Sequence, residues 1–298
     1  MKVLVYGANG AQGGAAAKAL MGNGYDIRVL MRSEEKGADW ATKGAEVAIG
    51  NMGDLDSLKR AGEGCDAVFL IVPTVRESDQ DGVAFGLNAV KAAKAAGITK
   101  IVWNTSGPVA AEGTEAANTD PAARVLRAMK AEGISFLGLQ PTLYMENFLG
   151  PWTIERLKTN KIFSYPIPPT FKVQWVAARD FGIVAAAVFS NDLPNEIIQL
   201  GGPQVLDGSA LAQEFSRALG LELDFETTPI DIFKDYLFQA TGPRVADIVS
   251  GLYQAIQTVP EQLQPGFVLD ADAIASRFNV QLTSLETWIS EYRSLFES

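Results

Sequence analysis

Histidine is absent from the sequence and cysteine occurs once, at Cys65. No imidazole can act as a general base, no intrachain disulfide can form, and no soft ligand set exists for zinc, copper or an iron–sulfur cluster, so no metal site is expected. Cys65 opens a predicted strand, Asp66 to Val72, and reads as a small buried residue rather than a nucleophile, because no basic partner is evident. Positive charge is scarce: 25 lysines and arginines face 35 acidic residues, for a net charge of -10 and a pI near 4.7. Such a chain repels nucleic acid and anionic membrane, which excludes both as partners and leaves a small-molecule substrate or a protein partner. Long apolar runs are missing too. Phe181 to Phe189 is far too short to span a bilayer, and no charged leader or apolar signal core precedes the first strand. The expectation is a soluble cytoplasmic protein, monomeric or homodimeric.

What the sequence does have is small residues near its start. The run Gly7-Ala8-Asn9-Gly10-Ala11-Gln12-Gly13-Gly14 follows an apolar strand, Val3 to Tyr6, and precedes an Ala-rich helix, Ala15 to Met21. A strand that turns sharply into a helix aims free N–H groups and the positive dipole end beyond the sheet, which suits a phosphate. Gly7 permits the tight turn, Gly10 lets a pyrophosphate approach the backbone, and Gly13 lets the helix pack on the sheet. The spacing, Gly-x-x-Gly-x-x-Gly, is one residue longer in its first interval than the usual dinucleotide fingerprint. A second strand, Asp26 to Met31, ends about 20 residues beyond the motif, where an acidic residue normally holds the ribose 2′-hydroxyl. Here the chain reads Met31-Arg32-Ser33. A carboxylate would repel a 2′-phosphate, whereas a guanidinium pairs with it and stacks on adenine, so NADP(H) is expected in preference to NAD(H).

Strands and helices then alternate. Helix Glu34 to Lys43, strand Ala45 to Gly50, and a helix from Asp54, a suitable N-cap, lead to the fourth strand. Glu77 to Ala96 has helical periodicity and stops at Gly97; Ile98 to Asn104 is the fifth strand, followed by the polar Thr105 and Ser106. A long polar connection, 108 to 119, precedes helix Pro121 to Ala131 and the sixth strand, Ser135 to Leu139. This alternation predicts an α/β fold: a Rossmann-type doubly wound parallel sheet over residues 1–150. Beyond residue 150 the pattern breaks. Ser164 to Pro169 is too proline-rich for a central strand. Residues 175–200 supply another helix and strand to the sheet, and 151–298 otherwise form a smaller, mainly helical lobe, closing over the nicotinamide end. Ligands of open parallel sheets bind beyond the carboxyl ends of the strands. The cofactor-binding set is read as Gly7, Asn9, Gly10, Ala11, Gln12, Gly13, Arg32, Ser33, Asn51, Met52, Val72, Pro73, Thr74, Thr105 and Pro141.

With these pieces assembled, the chain resembles the NmrA-like members of the atypical short-chain dehydrogenase/reductase superfamily. The resemblance rests on Gly7 to Gly14, Leu30-Met31-Arg32, Gly50 to Leu58 and Pro141 to Phe148 (PTLYMENF), with weaker support from Val176 to Phe181 and Leu200 to Pro203. It implies the same fold and an NADP(H)-binding protein, in a group that holds quinone, dye and isoflavone-type reductases and also non-catalytic redox sensors. Four departures bear on chemistry. No tyrosine has a lysine four residues on, Ala122 stands where many relatives place a lysine, Gln140 where they often have arginine, and Asn51 where aspartate is common.

Hydride transfer needs little from the protein beyond positioning. A simple ketone also needs a proton for its developing alkoxide, whereas a quinone, enone, imine or dye spreads the charge and takes its proton from water. Without the tyrosine–lysine pair, the expected activity is an NADPH-dependent reductase of conjugated or carbonyl acceptors; the alternative is an NADP(H) redox sensor acting through a protein partner. Ser106 matches the substrate-orienting serine of the superfamily, though Thr105 to Gly107 can equally be a helix-capping turn. Tyr144 is the second catalytic candidate, with a plain packed tyrosine as its alternative. Met145, Phe148 and Trp152 read as pocket or core, Asp180 as a helix cap, and Glu146 and Asn147 as capping residues without chemistry.

Overall fold

A computed structural model describes residues 1–73 and 79–297. Two compact units emerge, one of residues 1–141, 178–200 and 278–280, the other of 142–177, 201–277 and 281–298. Elements are numbered below in chain order.

The first unit contains β1 (Lys2–Val5), α1 (Ala11–Gly22), β2 (Asp26–Met31), α2 (Glu34–Thr42), β3 (Glu46–Ile49), α3 (Leu55–Gly62), β4 (Ala67–Ile71) and α4 (Asp79–Ala95). It continues with β5 (Lys100–Asn104), the short α5 (Ala116–Thr119), α6 (Pro121–Ala131) and β6 (Ser135–Pro141), and after an excursion adds α8 (Ala178–Val188) and β10 (Glu196–Leu200). Seven parallel strands are ordered β10-β6-β5-β4-β1-β2-β3, the doubly wound arrangement. Parallel strands covered on both faces need apolar side chains on both, and Val3, Val5, Ala67, Phe69, Leu70, Ile101 and Val102 are all essentially inaccessible. Cys65 is buried, its thiol donating to the Ala61 carbonyl, and burial pushes that thiol's pKa up.

Helix starts follow local chemistry. The Asp54 carboxylate accepts from the amides of Asp56 and Ser57 and caps α3, and Asp120 caps α6 with Pro121 at the first helical position. Two expectations need correction. Helix α1 begins at Ala11 rather than Ala15, because Gly13 and Gly14, poor helix formers in isolation, are buried at close packing positions. Asp180 lies inside the first turn of α8 rather than at the position before its first residue, and it is buried there, at the end of the helix where the dipole favours a carboxylate.

The second unit holds β7 (Leu143–Tyr144), a 3-10 turn at Met145–Leu149, α7 (Pro151–Asn160), β8 (Ile162–Tyr165), β9 (Val173–Val176), β11 (Val205–Leu206), α9 (Gly208–Leu219) and β12 (Asp224–Thr227). Then come α10 (Ile230–Thr241), α11 (Pro243–Thr258), α12 (Pro260–Leu263), α13 (Ala271–Phe278, its last residue belonging to the first unit) and α14 (Leu285–Phe296). Ser164 and Tyr165 do form strand, but only as one side of the two-stranded β8–β12 ribbon, which ends before Pro166. Phe148 is wholly buried among the rings of Phe163, Tyr165, Trp175, Phe215 and Trp288 and belongs to the core. Met145 is also buried, and Trp152 packs edge-on against Phe233. Glu146 and Asn147 do not cap the turn: Glu146 accepts from the Trp288 indole, and Asn147 donates to the Tyr253 hydroxyl, which is bonded to that of Tyr165.

Candidate functional site

At the carboxyl ends of the parallel strands the first unit opens into a groove of about 1120 Å³. Its floor is the β1–α1 loop. Gly7 adopts φ +72°, a conformation open to a residue without Cβ, and its carbonyl accepts from the Gly10 amide at 2.9 Å. A Cβ at Gly13 would lie 2.3 Å from the Gly7 oxygen, so the helix seats flush on the turn only because that position is bare. Gly7, Ala8, Asn9, Gly10, Ala11, Gln12 and Gly13 all line the groove. Because α1 begins at Ala11, the first-turn amides that no carbonyl within the helix can satisfy lie in this lining.

The rim on one side is made by the end of β2 and the first turns of α2. Leu30, Met31, Arg32, Glu35, Lys36 and Asp39 line it. Arg32 is exposed and, among the described residues, makes no hydrogen bond or ion pair, and the same holds for the Lys36 ammonium. Ser33 is the N-cap residue of α2 without a side-chain capping bond, and it does not line the groove. Gly50, Asn51 and Met52 follow β3 on the same side. The Asn51 carboxamide oxygen is used internally, accepting from the Gly53 amide at 3.0 Å, and the Met52 carbonyl is held by Asn88 of α4. Ile71, Val72, Pro73 and Phe85 complete that wall; Thr74 lies outside the described residues.

At the end of β5 stands a small polar network. The Gln12 carboxamide oxygen accepts from Asn104 Nδ2 at 3.3 Å and from the Ser106 hydroxyl at 3.1 Å, while Asn104 Oδ1 accepts the Ser106 amide at 2.9 Å. With its oxygen doubly engaged, the Gln12 amide group is left with two donors. Ser106 lines the groove in the left-handed region, φ 57°. Thr105 is buried, bonded to the carbonyls of Gly107 and Leu139, and does not line it. The turn caps no helix, since the next one starts at Ala116.

Pro141 ends β6 opposite Leu200, outside the lining, and Tyr144 belongs to the second unit, buried on β7. Thus the structure gathers the loop glycines with Asn9, Ala11, Gln12, Arg32, Asn51, Met52, Val72, Pro73 and Ser106, and leaves Ser33, Thr105 and Pro141 outside this lining. Sequence reasoning missed Lys36, Glu35, Asp39, Phe85 and Asn104. Lys36 was accessible in principle, as a cation in the first turns of the helix after Arg32; Asn104 was visible only as the first of three polar residues.

No group of three or more histidine, cysteine, aspartate or glutamate side chains suited to a metal occurs among the described residues, and no helix there is long and apolar enough to cross a membrane.

The family model for the NmrA-like family matches residues 1–290. An NAD(P)H azoreductase from Xenophilus azovorans is 26% identical over 259 residues, 84% of this chain and 86% of that protein. A (4-alkanoyl-5-oxo-2,5-dihydrofuran-3-yl)methyl phosphate reductase from Streptomyces griseus is 30% identical over 247 residues, 82% of this chain and 83% of its own. Among solved structures, the triphenylmethane reductase of Citrobacter sp. complexed with NADP(H) superposes with a TM-score of 0.75 at 23% identity, covering 98% of this chain and 99% of that one.

Proposed function

Since the chain belongs to the NmrA-like family, we propose that it is an NADPH-dependent reductase of small conjugated acceptors such as quinones, enones, imines or dyes, working in the cytoplasm. The observation that carries this reading is the pair of unengaged cations, Arg32 and Lys36, on the rim of a groove whose floor is the glycine loop. The loop offers bare backbone and first-turn amides to a diphosphate, as anion binding at a helix N-terminus requires. Arg32, with Lys36 beside it, would hold the 2′-phosphate, and Leu30, Met52 and Val72 would flank the adenosine. When bound, NADPH supplies a hydride from its nicotinamide ring.

The protein's part is to bind, orient and exclude. Ser106, a donor to Gln12 in the free protein, would turn its hydroxyl to an acceptor's carbonyl oxygen, and Gln12 would donate its amide into the same space. No tyrosine–lysine pair is present to deliver a proton, which favours acceptors that delocalise the incoming charge and take the proton from water. The names of both relatives, one acting on azo compounds and the other on an unsaturated furanone phosphate, support conjugated acceptors.

Steady-state NADPH oxidation with a panel of quinones, enones, imines and azo or triphenylmethane dyes tests the reading. Turnover with at least one class is expected. Tight NADPH binding without turnover on any would favour the sensor alternative. Arg32→Ala should weaken NADPH by about 1–3 kcal/mol and leave NADH nearly unchanged, as for loss of a charge-assisted hydrogen bond; equal losses for the two nucleotides would refute the assignment of Arg32.

A further inference from the structure

Asn9 belongs to the glycine loop, yet its side chain is committed to α2. Its Nδ2 donates to the Lys36 carbonyl at 3.0 Å, and its Oδ1 accepts from the Trp40 indole Nε1 at 3.2 Å. Two of the carboxamide's functions are thereby used on a helix some thirty residues away in sequence. The loop does not need Asn9 for its own shape, since Gly10 is bonded to Gly7, Gly14 to Gly10 and Tyr6 to Phe69 through the backbone. What the carboxamide does is join two structures that would otherwise meet only through packing.

Helix α2 has a second anchor. A Cβ at Gly37 would fall 2.4 Å from a methyl of Val47, so the helix lies flush on β3 one residue after Lys36. Trp40, 5% exposed, covers the other flank and approaches Gly14 of α1 to within the distance of ordinary contact for an added Cβ. Between these fixed points lies the turn that carries Lys36, and just ahead of it Arg32.

We propose that Asn9 is a positioning residue for cofactor selectivity: its carboxamide registers the α2 turn bearing Lys36, and the adjoining Arg32, against the diphosphate loop. The spacing between diphosphate and 2′-phosphate is then set by the protein before the nucleotide arrives. This rests on the NADPH reading above and deepens it, because the Asn9 carboxamide acts on the phosphorylated adenosine through α2. A direct ligand of the diphosphate would serve NADP(H) and NAD(H) alike; a strut to the cation-bearing helix serves only the former.

The test uses the full chain and two fragments, 2′,5′-ADP and 5′-ADP, titrated calorimetrically against wild type, Asn9→Ala and Trp40→Phe. Asn9→Ala removes both bonds, and Trp40→Phe removes only the indole donor while keeping an aromatic ring in place. Both variants should lose affinity for 2′,5′-ADP, Asn9→Ala by roughly three- to tenfold more than it loses for 5′-ADP, as expected for partly exposed hydrogen bonds, while Trp40→Phe, which is outside the groove lining, keeps its 5′-ADP binding within error. In an Arg32→Ala background the Asn9→Ala effect on 2′,5′-ADP should shrink markedly, because coupled residues are not additive. Equal weakening of both fragments by both variants would overturn the proposal, as would full additivity with Arg32→Ala. Unchanged binding in Trp40→Phe together with a uniform loss in Asn9→Ala would make Asn9 an ordinary loop residue. Wild-type binding of 5′-ADP without preference for the 2′-phosphate would instead remove the NADP reading itself, and this inference with it.

Discussion

Ser106 is one of the few non-glycine residues in the left-handed backbone region, φ 57°, and it holds that conformation with its amide on Asn104 and its hydroxyl on Gln12. For an L-residue such a backbone costs about 1–2 kcal/mol, retained only where neighbours enforce it. Ser106→Gly relieves this cost while losing the hydroxyl, and Ser106→Ala loses the hydroxyl alone. The glycine variant should therefore be the more stable of the two by about 1 kcal/mol in urea unfolding. If the hydroxyl serves the acceptor, both should lose turnover alike. At this scale legibility was uneven. The turn at Gly7, the close packing at Gly13 and the place of Arg32 on the groove's rim could be read because they follow from position relative to a strand end. The Asn9–Trp40 link could not, since two residues 31 apart meet only once α2 is docked.

Among elements, α1 and α8 pack most intimately, and they do so through small residues. A Cβ at Gly182 would lie 2.4 Å from the Ala16 carbonyl oxygen and 2.8 Å from the Ala19 methyl. Backbone cannot yield as a flexible side chain can, so Gly182→Ala should destabilise by about 1–3 kcal/mol, the cost of overpacking. A fall in thermal midpoint, with the far-ultraviolet spectrum of the remaining fold preserved, is the expected result. The strands and helices of the parallel sheet were readable because each carries a long periodic or apolar signal, and α6 runs from Pro121 to Ala131 as its residues indicate. The short strands of the second unit were not. β7 and β11 have two residues each, too few for any periodicity, and exist because they pair with β9 on either side.

For the molecule as a whole, the missing histidines and the buried phenols fix the shape of its pH dependence. With no imidazole to titrate, stability should change little between about pH 6 and 8. Burial raises the pKa of Tyr253 to about 12 and pushes Tyr165 and Tyr6 upward as well. Since the folded values exceed the unfolded value of about 10, their contribution is fully present below about pH 10 and is lost as pH rises from there through the folded values. Denaturant midpoints should stay level near neutrality and fall steeply above about pH 10; a level midpoint across that alkaline range would contradict the burial of these phenols.

The sheet also imposes an order on its own completion. Strand β6 ends at Pro141, but β10, which pairs along its whole length, starts only at Glu196. During synthesis at about 5–20 residues per second, the β6 edge therefore leaves the ribosome and waits roughly 3 to 10 seconds for its partner, while a stretch destined for the other unit emerges in between. An unpaired apolar edge held open that long is a place where nascent chains associate with one another or with a chaperone. Stalled chains ending before residue 196 should be far more sensitive to protease than chains long enough to expose β10.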